Sequence, residues 1–274
     1  MVNTSPLPEQ IKNRLSTRWL GQTVHFYQQL DSTNLTAMEL ALGDAAEGTA
    51  VLAEEQLRGR GRGNRSWHSP AGVGIYCSII LRPGLLPAKA QILTLMTAVA
   101  IAKAISQETG LSPRIKWPND ILLNDNKVAG ILLENKMSSQ QIEHAVIGFG
   151  INVNHTSADL PAESMFKASS LRVELGKQVE RGALIAGIFA EVEGLYEMLQ
   201  QEELAMILEE WRHFSATLGE PIRVWQQGKV TEGIAVDINE EGGLVVKARN
   251  ESLMVIHAGD VEHLRLAVEV EEGG

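Results

Sequence analysis

The chain has 274 residues, 44% hydrophobic and 21% charged, enough apolar material for a substantial core and ordinary for a soluble globular enzyme. Its formal net charge of −10 argues against general binding of duplex nucleic acid, which needs a basic footprint, so no DNA partner is expected. Its single cysteine, Cys77, excludes an intrachain disulfide and fits a reducing cytosol.

The amino terminus carries no basic-then-apolar leader. The longest apolar stretch, Ile92 to Ile105, falls short of the ~20 residues of a membrane span. The expectation is a cytoplasmic protein with no membrane partner.

In chain order, Gln10 to Leu20 predicts at most a short opening helix. Thr23 to Gln28 alternates as a strand, and Asp31-Ser32-Thr33-Asn34 offers capping side chains ahead of a helix over Leu35 to Ala41. Thr49 to Ala53 predicts a strand that runs into a glycine- and arginine-rich loop. Gly74 to Leu81 reads as a buried strand, with Cys77 a core thiol, because reactive thiols need exposure and nearby positive charge.

Ile92, Leu95, Met96, Val99, Ala102 and Ile105 recur at helical spacing, and Gly110 ends that helix. Three strand-like runs follow: Arg114 to Trp117, Val128 to Glu134 and His144 to Val153. Turns at Asp125-Asn126 and Lys136-Met137-Ser138-Ser139 predict antiparallel pairing between them. Leu184 to Leu199 is an amphipathic helix, and Glu202 to Trp211 another.

After Leu218-Gly219-Glu220-Pro221 the texture changes. Short β runs at Ile222 to Trp225, Thr231 to Val236, Leu244 to Lys247 and Leu253 to Ile256 predict a small β-barrel. The expected architecture is α+β: residues 1–216 hold a mixed, mainly antiparallel sheet with helices, residues 217–268 the barrel, and residues 269–274 a frayed acidic tail.

Two segments carry chemistry. Arg58-Gly59-Arg60-Gly61-Arg62-Gly63-Asn64-Arg65-Ser66-Trp67 alternates glycine and arginine, so its backbone can wrap a ligand closely while guanidinium groups reach an anion. Taken alone, it suits a phosphate-gripping loop that orders on its ligand, an RNA-binding arginine–glycine segment or a solvated surface loop. Lys116-Trp117-Pro118-Asn119-Asp120 is followed by Lys127 at the start of an apolar strand, and hairpin geometry returns Lys127 toward Asp120. That pair suits either a functional site or a plain surface ion pair.

Asp31-Ser32-Thr33-Asn34 alone reads as a helix cap, and the glycines of Ile147-Gly148-Phe149-Gly150-Ile151-Asn152 are too few for a dinucleotide fingerprint. No Walker-type phosphate loop is present, and the seven histidines lie singly, so no protein-held metal site is expected.

Together, Ser32-Thr33-Asn34, the Gln56 to Trp67 loop, Lys116 to Asp120, Lys127 to Glu134 and Gly148 to Asn154 resemble biotin–protein ligases in order and spacing. The resemblance covers roughly residues 24 to 265, because the C-terminal barrel is similar to that family's SH3-like domain. One departure is that the family loop usually has glycine where this chain has Asn64, and a variable residue at Gly63.

The resemblance implies a monofunctional ligase of the class II synthetase-like type. It places Ser32, Thr33, Asn34 and Gln56 on the biotin ureido ring, and Arg60, Gly61 and Arg62 in a loop closing over biotin and its activated form. Lys127 falls on the carboxylate and phosphate, with Gly130 beside biotin. Arg60, Arg62, Trp67, Asn119, Lys127 and Asn152 fall near the nucleotide. Arg62, Lys127 and Asp120 are the implied catalytic groups.

Biotin and ATP are then substrates, with Mg²⁺ as cofactor and a biotin carboxyl carrier domain of a carboxylase as acceptor. Homodimers are common in the family. A lipoate–protein ligase shares the general domain type but is not expected to carry this arginine–glycine loop. The repressor branch of the family needs an N-terminal helix-turn-helix, and only about two dozen residues precede the first predicted strand, too few for one.

Overall fold

The computed structural model describes residues 5–161, 167–226 and 229–264, so the expected acidic tail lies outside the described residues. Strand β1 (Val24–Leu30) leads through α2 (Thr33–Leu42) to β2 (Ala50–Gln56), with α1 (Leu7–Arg14) ahead of it. Next come β3 (Gly74–Leu81), α3 (Ala90–Thr109), β4 (Arg114–Lys116), β5 (Asp120–Leu123), β6 (Asn126–Met137) and β7 (Ile142–Asn152). Among the described residues these strands form one seven-stranded sheet in the order β1-β2-β3-β7-β6-β5-β4. Its β1–β2 pair is parallel and every other pair antiparallel.

The period-2 alternation of β3 and β7 decides where the site can be. Ile75, Cys77, Ile79 and Leu81 of β3 and Ile147, Phe149 and Ile151 of β7 point into the main core. There they meet α3 and, beyond the short α4 (Leu171–Leu175), two later helices, α5 (Arg181–Gln200) and α6 (Leu204–Phe214). On the other face, Ile80 and Val146 join Ala37 and Ala41 of α2 and Val51 of β2 in a second, smaller cluster. Ser78, Gly148, Gly150 and Asn152 share that face, which α2 covers only in part.

Several expectations need correction. The opening helix starts earlier than the sequence suggested, at Leu7, where Pro6 stands at its amino-terminal cap. A strand was missed: β5 lies between the predicted Arg114 and Val128 runs, so the turn near Asp125 joins β5 to β6. Asn124 and Asp125, with φ of 48° and 62°, make that turn. Residues Pro87–Thr109 are long and apolar enough to cross a membrane, contrary to the sequence reading, but 72% of the most apolar 18 residues there is buried and α3 is a core helix. Ser32 sits at the cap position of α2 without making a side-chain capping bond.

Beyond α6, strands β8 (Pro221–Gln226), β9 (Lys229–Ile238), β10 (Leu244–Lys247), β11 (Leu253–Ile256) and β12 (Asp260–His263) form a five-stranded antiparallel SH3-like sheet, ordered β11-β10-β9-β8-β12. The sequence reading counted four of these, because β12 is largely charged. Trp117 ties this sheet to the larger one: its backbone N–H donates to Thr217 Oγ1 at 3.0 Å and its Nε1–H to the Gly242 carbonyl at 3.1 Å.

Candidate active site

Every residue to which the resemblance gives a site role lines one cleft of ≈ 210 Å³ on the open part of the sheet, bounded by the arginine–glycine loop and the edge of the C-terminal sheet. The residue types at each end differ, and the difference follows from the elements that present them.

At one end Ser32, Thr33 and Asn34 open α2 and are nearly fully buried. Ser78, in mid-β3, donates to Asn34 Oδ1 at 2.7 Å and stands 2.8 Å from Thr33 Oγ1. The Asn34 amide donates to Glu134 Oε2 at 3.0 Å and to the Leu132 carbonyl. Gln56, the last residue of β2, accepts from the Thr33 backbone N–H at 2.8 Å and donates to Ser69 Oγ at 2.9 Å. Buried hydroxyl and amide groups fixed in this way present donors and acceptors in set directions, as recognition of a small polar ring requires.

The glycines of β7 make room for this end. A Cβ on Gly148 would overlap the Asn34 side chain, and a Cβ on Gly150 would lie 2.2 Å from Trp67 Nε1. They are floor glycines, set by the close approach of side chains from above. Trp67 Nε1 is buried with no hydrogen-bond partner among the described residues, so the indole offers a donor beside Lys127, whose Nζ lies 5.4 Å from the ring centroid.

The arginine–glycine loop is closed by its own backbone. Gly61 N–H donates to the Arg65 carbonyl at 2.7 Å and Trp67 N–H to the Gly59 carbonyl at 2.8 Å. The residue requiring positive φ is Gly63, at 60°, so the turn's left-handed position falls one residue before Asn64. This accommodates the departure at Gly63-Asn64 noted in the sequence.

Three of the loop's four arginines line the cleft, and their partners differ. Arg60 makes a two-pronged ion pair with Glu134, at 2.9 and 3.0 Å. Arg65 pairs with Asp260 of β12 at 2.9 Å. Among the described residues Arg62 hydrogen-bonds to neutral oxygens, Asn119 Oδ1 at 3.3 Å and the Gly259 carbonyl at 3.4 Å. Burial holds its guanidinium below the ordinary range, with Asp260 and Asp120 acting against that and Arg65 with it.

At this cationic end Lys127 Nζ lies 2.6 Å from Asp120 Oδ1. The approach is electrostatic, since Oδ1 accepts no well-angled hydrogen bond among the described residues. The hairpin juxtaposition expected from sequence is therefore present, in the form of a partly buried ion pair inside the cleft. Asn119 is pinned to β6, its amide donating to the Ile131 carbonyl at 2.7 Å, and Asn152 donates to the Ser169 carbonyl at 3.0 Å.

Sequence reasoning passed over four residues that the fold brings here. Ser78 had a signal, a lone hydroxyl in the apolar run Gly74 to Leu81. Glu134 and Lys116 lay in quoted segments without an assigned part. Asp260 had no signal, since its relevance depends on the C-terminal sheet docking against the loop.

Comparison with known proteins fits this arrangement. Residues 26–152 match the Biotin/lipoate A/B protein ligase family model, and residues 217–264 match the Biotin protein ligase C terminal domain. The bifunctional ligase/repressor BirA of Bacillus subtilis is 36% identical over 253 residues, 92% of this chain and 78% of that protein. The biotin--[acetyl-CoA-carboxylase] ligase of Paracoccus denitrificans is 36% identical over 225 residues, 79% of this chain and 91% of that one.

In fold, the biotin protein ligase of Aquifex aeolicus in complex with biotin and ATP superposes with a TM-score of 0.76 at 24% identity, over 89% of this chain and 100% of that one. A mixed sheet with an SH3-like C-terminal sheet and a polar-floored, cationic cleft defines a ligase of this class. The chain belongs to the biotin protein ligase family.

Proposed function

We propose that the chain activates biotin with ATP, forming biotinyl-5′-AMP and pyrophosphate, and transfers the biotinyl group to a lysine of a biotin carboxyl carrier domain. The observation that carries this reading is one cleft holding both a fixed polar network, Thr33–Asn34–Gln56–Ser78, and the cations Arg62 and Lys127. The network suits a buried urea, and the cations suit a carboxylate meeting a phosphate.

Chemistry assigns the parts. Carboxylate and α-phosphate repel, so fixed positive charge from Lys127 and Arg62 lowers the barrier to their approach. Arg60, held by Glu134, positions the loop over biotin with Gly61, and Gly130 leaves space beside Lys127. Trp67, Asn119 and Asn152 flank the nucleotide. Mg²⁺ would arrive with ATP, held mainly by phosphate oxygens. Asp260 lines the described cleft and would add a carboxylate to such a shared ion, which would supply further charge neutralisation.

In the second step the acceptor amine attacks the mixed anhydride. An ordinary lysine (~10.4) is neutral about once in a thousand near pH 7, a cost of about 4 kcal/mol. Asp120 orients that ammonium and offsets its charge while the proton leaves.

We also propose residue 217 as the start of the second domain, supported by where the C-terminal family match begins. The net charge of −10 disfavours duplex DNA as a partner of this chain.

Biotin and lipoate are separated by one assay. Purified protein with ATP and Mg²⁺ is given each acid and its carrier domain, and the mass of the carrier is measured. Labelling by biotin alone is expected, and labelling by lipoate alone would reassign the substrate.

A further inference from the structure

A carboxylate stands close behind the wall of this cationic cleft, where its charge opposes anion binding unless something neutralises it. It belongs to Glu134 of β6, two residues beyond Leu132, and is not among the described lining residues. The β6–β7 ladder sets Glu134 opposite Val146 and Leu132 opposite Gly148, so both face α2. From there one carboxylate reaches two parts of the site. Its Oε2 accepts from the Asn34 amide and from Arg60, each at 3.0 Å, and its Oε1 takes the other prong of Arg60 at 2.9 Å.

We propose that Glu134 is a positioning residue that joins recognition of the biotin ring to closure of the arginine–glycine loop, an assignment that rests on the biotin reading above. Its hold on Asn34 decides which way that amide faces. A primary amide has two N–H donors, and here both are spent, on Glu134 and on the Leu132 carbonyl. Oδ1 is thereby turned toward Ser78, and Asn34 meets a ring as the acceptor of its N–H.

The same carboxylate fixes the loop. A two-pronged guanidinium–carboxylate pair sets the plane of both groups, and its charge-assisted bonds are about twice as strong as neutral ones. Arg60 also bridges to Ser66 across the base of the loop, beside the Gly61–Arg65 and Gly59–Trp67 backbone bonds. Fixing Arg60 therefore fixes the closed turn. A ring that orients Asn34 also orients Glu134 for Arg60, and a docked Arg60 does the reverse. The coupling is reciprocal.

The test follows amide hydrogen exchange of residues 57–67 with and without saturating biotin. Wild type is measured first, and if biotin does not bind, the biotin reading itself is overturned. Given binding, biotin should slow loop exchange about tenfold or more in wild type, and no more than about threefold in Glu134→Gln, although biotin saturates both. Biotin affinity of Glu134→Gln should fall roughly ten- to hundredfold, and kcat/KM for biotin should fall with it, mostly through KM.

Losses from Glu134→Gln and Asn34→Ala should not multiply in biotin affinity, nor those from Glu134→Gln and Arg60→Met in loop exchange. If Glu134→Gln does not fold, Arg60→Met breaks the same joint from the loop side and should weaken biotin-dependent protection to the same degree. Multiplying losses in either pair, or a wild-type loop that biotin leaves unprotected, would overturn the assignment. So would full protection of the loop in Glu134→Gln or Arg60→Met.

Discussion

Gly148 and Asn34 compete for one space: a Cβ on Gly148 would stand 1.7 Å from Asn34 Oδ1, the oxygen that accepts from Ser78. Gly148→Ala should therefore push Asn34 out of its network while leaving the cationic end of the cleft in place. Biotin affinity should fall roughly ten- to hundredfold, the cost of leaving buried polar groups misaligned. Calorimetric titration with biotin checks this, and affinity within a factor of two of wild type would contradict it.

Asp120→Ala should slow transfer more than activation, because the proposal gives Asp120 to the acceptor ammonium. A loss of about 10²-fold in transfer from supplied biotinyl-AMP is expected. Its removal also frees Lys127 from the 2.6 Å ion pair, so activation should change by far less. Single-turnover measurement of each half-reaction separates the two, and an equal loss in both would refute the division.

Arg62 spans the loop, Asn119 of the β4–β5 turn and the Gly259 carbonyl of the C-terminal sheet. Arg62→Gly should loosen the loop and let biotinyl-AMP escape, so that exposed lysines of bystander proteins become labelled. Mass spectrometry of a mixture of the enzyme, its carrier and an unrelated protein gives the readout. Retention of the adenylate at the wild-type rate would count against the loop acting as a lid.

His155 is fully buried, with Nδ1 unpartnered among the described residues, and burial together with His68 presses it down to about 4. An unfolded histidine titrates near ~6.5, so the unfolded chain takes up the proton first as the medium is acidified. The associated stability is complete above about pH 6.5 and is lost as pH falls toward 4. Melting temperature against pH should be visibly flatter in His155→Gln than in wild type across that window. His263, also near 4, supplies a similar residual slope, and parallel curves would exclude the contribution of His155.

Much of the fold could be read from the chain because its longest elements carry strong local patterns. The run Gly74 to Leu81 was bounded as β3, and the apolar periodicity from Ile92 to Ile105 with Gly110 marked α3. β5 escaped because Ile121, Leu122 and Leu123 directly follow a proline turn and are too few to show a period. β12 escaped because Asp260, Glu262 and His263 mask the alternation, and its pairing with β8 is long-range.

In the site, residues in dense motifs were legible, whereas those whose meaning depends on register were not. Ser78 matters only because β3 turns its even-numbered residues toward α2. Glu134 matters only because β6 carries it back to Asn34 and Arg60. The pair Gly148 and Gly150 is too short for a dinucleotide fingerprint, and its role, leaving room for Asn34 and Trp67, shows only in the fold.

The central claim, that this cleft makes an acyl-adenylate and hands it to a carrier lysine, is met most directly by one experiment. Purified chain is mixed with biotin, ATP, Mg²⁺ and a biotin carboxyl carrier domain, with pyrophosphate release and carrier mass followed together. The account predicts biotin-dependent pyrophosphate and one biotinyl group on a single carrier lysine. No biotin-dependent pyrophosphate, with the carrier left unmodified, would contradict it.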